Sequence, residues 1–272
     1  MKSAITISLV PETKGGPFVF WDGLADGFAR AAKLGFDAVE IFPSSSEELD
    51  AREIKKLCAE HNLKVGAIGT GAGWVKHKLR LTDPDATVRR RAQQFIGAII
   101  DFASSFGAPA ILGSMQGRYE GSVTREQALA WLAEALEQLG PRAHAARVPF
   151  LYEFLNRYET NLFNRVADSL EFLKTLRTQN VKLLCDLFHM NIEESDVAAA
   201  LRLAGPKVGH VHFADSNRRA IGMGHTDMKP VMAALRDIGY SGYLSAEVFA
   251  LPDSQAAAER TINSFRALTA DG

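Results

Sequence analysis

Leu151-Tyr-Glu-Phe-Leu-Asn-Arg-Tyr-Glu159 closes an apolar run that begins at Val148, and it closes it with two carboxylates six residues apart. Three later segments end in the same manner: Leu183-Leu-Cys-Asp186-Leu-Phe-His189, Val208-Gly-His-Val-His212-Phe and Tyr243-Leu-Ser-Ala-Glu247. Each is a short apolar stretch that stops at an acid or a histidine, and each is followed by a segment of helical periodicity. Buried parallel strands read as near-continuous apolar runs, so these four predict strands with chemistry-bearing residues at their C-terminal ends.

The same alternation extends through the rest of the chain. Ala4–Val10, Ala38–Phe42, Lys64–Ile68 and Pro109–Leu112 read as the first four strands. Helical patterns follow at Trp21–Leu34, Ser46–His61, Asp83–Phe106 and Thr124–Ala146, with Ser44 to Ser46 as caps of the second and Asp83 before Pro84 as the start of the third. The later helices are expected at Leu162–Gln179, Ser195–Leu203, Met228–Ile238 and Ser254–Leu268. Eight such pairs with no composition break predict one domain over residues 1–272, of α/β class. Polar residues gathered at the ends of the later strands favour a single (β/α)8 TIM barrel over an open doubly wound sheet, since a barrel brings strand ends together. There is no GxGxxG after the first strand and no GxxxxGK[ST] anywhere, which removes the dinucleotide and P-loop readings.

With 47% hydrophobic residues, 272 residues supply a sizeable core. A formal net charge of −1 opposes a general nucleic-acid binder. Two cysteines, Cys58 and Cys185, make no disulfide framework and suit a reducing compartment. The N-terminus reaches Pro11 and Glu12 too soon for a signal peptide, and no stretch has the ~18 apolar residues of a membrane span. The expectation is a cytoplasmic protein without a membrane or nucleic-acid partner, with a homo-oligomer allowed.

Glu153, Asp186, His212 and Glu247 offer three hard oxygen donors and one imidazole. That mixed set suits Mn²⁺, Mg²⁺, Co²⁺ or Fe²⁺ better than structural zinc, and four side chains leave positions open on an octahedral ion. The sequence resembles the xylose-isomerase-like sugar isomerases and epimerases, in particular their ketose 3-epimerase branch (tagatose, psicose and ribulose 3-epimerases). Glu153-Phe-Leu-Asn-Arg-Tyr-Glu159 matches the branch pattern Glu-x-Leu-Asn-Arg-aromatic-Glu, Asp186-Leu-Phe-His189 its Asp-x-x-His, His212 and Arg218 its His-x5-Arg, and Glu247 its last ligand. The resemblance implies a small-molecule sugar or sugar derivative as substrate and one divalent ion, Mn²⁺ first and Co²⁺ or Mg²⁺ after it, held by Glu153, Asp186, His212 and Glu247. It implies further that Glu153 and Glu247 are the acid/base pair and that Glu159, His189 and Arg218 contact the sugar.

Around these, His189 is expected to reach the site from a loop. His210 shares the strand parity of His212 and should point into the barrel one layer deeper. Glu40 reads as an internal hydrogen-bonding acid. Trp74 is placed to close one side of the pocket, Gln116 and Arg118 to bind hydroxyls or a carboxylate, and Gly222-Met-Gly224-His225 as a tight turn where barrels often bind phosphate. Two alternatives share the donor set: a lyase of inosose-dehydratase type, and an isomerase or lyase acting on a keto-sugar. A remote one is an endonuclease IV-like DNA repair enzyme, which would need histidines where this chain has Gly69-Thr70 and Gly113-Ser114.

Overall fold

In the computed structural model, which describes residues 1–270, β1 (Lys2–Ser8), β2 (Ala38–Phe42), β3 (Lys64–Gly69), β4 (Ala110–Leu112), β5 (Phe150–Glu153), β6 (Val181–Asp186), β7 (Val208–His212) and β8 (Tyr243–Ala246) form a closed parallel barrel. Each strand pairs with its neighbours in the chain, and β8 returns to β1 through Lys2↔Tyr243 and Ser3↔Leu244. Outside lie α1 (Leu24–Leu34), α2 (Ala51–His61), α4 (Ala86–Ser104), α5 (Arg125–Ala145), α6 (Val166–Lys174), α8 (Val197–Ala204), α9 (Met228–Asp237) and α10 (Ser254–Thr269), with the short α3 (Ala72–Val75) and α7 (Leu187–Glu193) at the mouth end. Among the described residues no helix is long and apolar enough to cross a membrane.

All eight strands lie where the apolar runs place them, while the edges move for local reasons. β1 is shifted toward the N-terminus because Lys2 and Ser3 are needed to close onto β8. α2 starts at Ala51 rather than Ser46, since the side chain of Asp50, not a serine, accepts from Arg52 N. α4 likewise starts after Asp85, which accepts from Thr87 N, and not at Asp83. α6 begins only at Val166 because Asn164 ties its amide to the carbonyls of Leu155 and Thr160 and holds that stretch as a loop. The expected pattern over Thr124–Ala146 is one helix with a capping box between Thr124 and Gln127.

Inside the barrel, Ala67, Ile111, Leu151 and Leu184 make a small apolar cluster contributed by β3 to β6. The facing strands bring buried Thr6, Glu40, His210, His212 and Ser245. The interior is thus apolar on one side and hydrogen-bonded on the other. A register irregularity lies beside Glu40: Val39 pairs with Val65 and Glu40 with Ala67, so Gly66 of β3 is the residue left over.

Candidate metal centre and substrate pocket

Each donor is fixed by a different local device. The backbone of Glu153 is pinned from β4's side: the amide of Gln116 donates to the Glu153 carbonyl at 2.8 Å and accepts from the Tyr152 hydroxyl at 2.6 Å. Gln116 is therefore consumed inside the protein, not offered to a ligand as its sequence position suggested. Asp186 is both the last residue of β6 and the N-cap of α7; its Oδ1 accepts from Phe188 N at 2.7 Å, which leaves Oδ2 for the site. His212 ends β7, and Glu247 directly follows β8. One donor atom from each of Glu153, Asp186, His212 and Glu247 can be chosen so that all lie within 4.8 Å of one another.

His212 organises that group. Its Nδ1 lies 3.3 Å from Asp186 Oδ2, 3.4 Å from Glu153 Oε1 and 3.6 Å from Glu247 Oε2. Its Nε2 lies 3.2 Å from Glu40 Oε1, and the other oxygen of Glu40 lies 2.8 Å from His210 Nε2. Burial alone would raise Glu40, but the two imidazoles outweigh it and hold its carboxyl well below the usual range. An ionised carboxylate only accepts, so His212 carries a proton on Nε2 and can turn an Nδ1 lone pair to the three carboxylates. Glu40, His210 and His212 are also close enough to be considered a ligand group of their own. Their spacing is that of a hydrogen-bonded support, in agreement with the internal roles expected for Glu40 and His210.

The electrostatics are those of a site built for a cation. Of the acids Glu40, Glu153, Glu159, Asp186 and Glu247, the last three lie within 4.0 Å of the Arg218 guanidinium. Burial, assisted by the neighbouring charges of Glu247 and Asp186, pushes Glu153 up to about 7 despite the opposing His212. His212 is raised well above its usual range: its burial works against the charge, but Glu247 and Glu40 outweigh it. Burial would raise Asp186 too, yet His189, His212 and Arg218 hold it low. Glu153 Oε1 is buried without any hydrogen-bond partner. An orphaned carboxylate oxygen, three converging carboxylates and an imidazole lone pair fit a hard divalent ion, and these four residues could hold one.

The remaining expected site residues surround this group. Arg218 donates to Glu247 Oε2 at 2.6 Å and lies 3.5 Å from Glu159 Oε1 and 3.8 Å from Asp186 Oδ2. It adopts a left-handed φ of 58°, unusual for a side chain of its size. The loop that imposes this is held from within: the Asp215 carboxylate accepts from the backbone N–H of Ser216, Gly222, Gly224 and Thr226 at 2.7–3.1 Å. The Gly222–Gly224 segment is thus the tight turn expected, folded around an internal anion. His189 is fully buried and sits on α7, not on a loop; its strand-end acid doubles as a helix cap, which the sequence pattern concealed. Its Nε2 is 3.8 Å from both Glu153 Oε1 and Asp186 Oδ2, and burial lowers it to about 4.

A cavity of about 740 Å³ opens over the group, lined by Glu153, His212, Glu247, Glu159 and Arg218 on one side and by Phe18, Phe42, Trp74, Ser114 and Arg118 on the other. Trp74 and Arg118 line it as their loops suggested. Gly113 is a spatial requirement that residue chemistry does not announce: a Cβ there would stand 2.5 Å from Glu153 Oε2. Asn156 also escaped assignment, although its side chain touches both Glu159 and His189.

Comparison with known proteins agrees with this architecture. The family model described as "Xylose isomerase-like TIM barrel" matches residues 28–268. A D-psicose 3-epimerase of Ruminiclostridium cellulolyticum is 31% identical over 226 residues, which is 81% of this chain and 76% of that protein. A 3-dehydro-D-guloside 4-epimerase of Escherichia coli is 37% identical over 112 residues, 41% of this chain and 42% of that protein. Among solved structures, a D-allulose 3-epimerase from Methylomonas sp. superimposes with a TM-score of 0.81 at 25% identity, covering 98% of this chain and 99% of that one.

Proposed function

This chain belongs to the xylose isomerase-like TIM barrel family, and within it we propose a divalent-metal-dependent ketose 3-epimerase. The observation that carries the reading is the convergence of two carboxylates, Glu153 and Glu247, on one donor group: both lie within 3.6 Å of His212 Nδ1 yet come from β5 and from the residue after β8. Epimerisation needs a base on one face of a flat anion and an acid on the other. One glutamate removes the C3 proton, its lone pair becoming the new O–H bond as the C–H pair moves into the C2–C3 unit. The enediolate so formed takes a proton at C3 from the other glutamate, on the opposite face. Glu153, raised toward neutrality by burial, suits a group that must both accept and release a proton near pH 7. A divalent ion held by Glu153, Asp186, His212 and Glu247, Mn²⁺ first and Co²⁺ or Mg²⁺ next, would supply Lewis acidity to the C2 and C3 oxygens.

Glu159, His189 and Arg218 are assigned to the sugar and its orientation. A non-phosphorylated substrate fits this end of the pocket. The charge of Arg218 is already shared between Glu247 and Glu159, and the N–H groups of the β7 loop are taken by Asp215. A phosphate placed there would meet the carboxylate of Glu159 beside an arginine whose charge is already engaged.

A second reading, epimerisation at C4 of a 3-keto sugar, draws on the 37% identity to the 3-dehydro-D-guloside 4-epimerase and would use the same two carboxylates. Incubating Mn²⁺-loaded protein with free ketoses, ketose phosphates and 3-keto-glycosides in D₂O separates the two. NMR should show deuterium entering C3 of a free ketose together with its C3 epimer, and exhaustive EDTA treatment should abolish it until Mn²⁺ is restored. Exchange confined to C4 of the 3-keto-glycosides, or full activity without metal, overturns the proposal.

A further inference from the structure

Asn156 lies midway along the Glu153–Glu159 segment, and the proposed chemistry gives it no task. It is 2% exposed, and its side-chain oxygen and nitrogen both have partners within the protein. Its Oδ1 accepts from Tyr158 N at 2.9 Å, which settles the orientation of the amide. The NH₂ group must then face the other way, where it lies 3.2 Å from Glu159 Oε1 and 2.7 Å from His189 Nδ1. The two hydrogens serve these two acceptors. The backbone N–H of Asn156 also points at His189 Nδ1, at 3.4 Å. A protonated Nδ1 would set a donor against two donors, and Glu159 at 3.8 Å is too distant to accept from it.

Resting on the metal-dependent epimerase reading, we infer that Asn156 is a positioning residue that holds His189 in the Nε2–H tautomer, making the imidazole a hydrogen-bond donor toward the Glu153–Asp186 edge of the site and not a base. The proton left on Nε2 is buried and unpartnered, 3.8 Å from Glu153 Oε1, which is itself unpartnered. Two orphaned polar atoms, a donor and an acceptor, face one place in the molecule. An oxygen of the sugar that accepts from His189 there gains negative charge when the C3 proton leaves, so the bond strengthens during the reaction. Proton transfer is thereby confined to the two glutamates. Because the same amide holds Glu159, both sugar contacts are registered to one backbone turn.

The test reads the tautomer directly. In ¹⁵N-histidine-labelled, Mg²⁺-loaded protein, long-range ¹H–¹⁵N correlation spectra give the tautomer of His189, assigned by the signals that His189→Gln removes. The parent should show a protonated Nε2 and an unprotonated Nδ1. In Asn156→Asp an oxygen replaces the NH₂ group, so the tautomer should reverse, with kcat on the responding ketose falling about 100-fold and Mn²⁺ affinity, measured by the free-ion EPR signal, held within about threefold. Asn156→Ala, which removes the 2.7 Å side-chain contact and keeps only the longer backbone N–H contact to Nδ1, should fall between the two. A parent protonated on Nδ1 overturns the inference even if no variant folds, and so does an Asn156→Asp protein that loses activity with the parent tautomer intact. If no sugar shows exchange while the parent tautomer is as stated, the epimerase reading falls and the assignment of Asn156 stands.

Discussion

The two halves of the barrel mouth are built on different principles. At the ends of β5 to β8 the chain places Glu153, Asp186, His212 and Glu247, groups whose charge is their purpose. The ends of β2 and β3 and the segments that follow β3 and β4 place Phe42, Gly69, Gly71, Trp74 and Gly113, groups that shape the cavity by bulk or by lack of it. A Cβ on Gly69 or Gly71 would meet the Phe42 ring at 2.7–2.8 Å. One half would carry the reaction, the other the fit, and Gly113 is where the second touches the first.

The largest effect should come from the charged half. Glu153→Gln and Glu247→Gln should each lower kcat by about a thousandfold or more while circular dichroism matches the parent, because on the proposed scheme each would remove a ligand charge and an acid/base group together. If either is dispensable for C3 exchange, the two-carboxylate scheme fails and the halves are not divided as described. Next in size is Arg218→Ala. It should reduce kcat/KM on a free ketose by about 10- to 100-fold without releasing the metal, since it frees Glu247 from a 2.6 Å contact. A parent that strongly prefers ketose phosphates, with that preference lost in the variant, would instead make this arginine a phosphate ligand.

Gly113→Ala tests the point of contact between the halves. The added methyl must displace Glu153 Oε2, so metal affinity and kcat should fall together, by about tenfold. Gly69→Ala, which presses on Phe42 instead, should change KM and leave metal affinity alone. Equal effects from both would dissolve the distinction. Trp74→Ala should be the mildest of the set, raising KM a few-fold with kcat spared.

Acidity offers a graded version of the same test. The folded state raises Glu153 from 4.5 to about 7, so its contribution to stability is complete below pH 4.5 and is lost as pH rises through about 7. Metal-free protein should therefore lose stability across that window, and a divalent ion should restore more of it the higher the pH. Thermal unfolding with Mn²⁺ and with EDTA, from pH 5 to 8, reads the difference directly. A metal-induced increase in Tm that is flat or larger at low pH would remove Glu153 from the donor set.

Much of the charged half is legible in the sequence because an acid or histidine that stops an apolar strand has few structural reasons to be there. The shaping half is not, since a glycine in a loop and a glycine that clears a carboxylate look alike until the carboxylate is placed. Gln116 illustrates the converse error: its type suggests a ligand, and only the hydrogen bonds to Tyr152 and Glu153 reveal a brace. Helix starts slipped wherever several capping residues compete, as with Ser46 and Asp50, because the winner depends on where the preceding turn releases the chain. The helix carrying His189 went unseen since Asp186 was already read as a strand end.

The carboxylate of Asp215 inside its own loop has a kinetic consequence. Four backbone amides closed on a buried anion leave little for a sugar to organise, so the arm that presents Arg218 is shaped before any encounter. Binding then carries no ordering step for this segment. In hydrogen-exchange terms, the Gly222, Gly224 and Thr226 amides should be slow in the free protein and no slower with ligand.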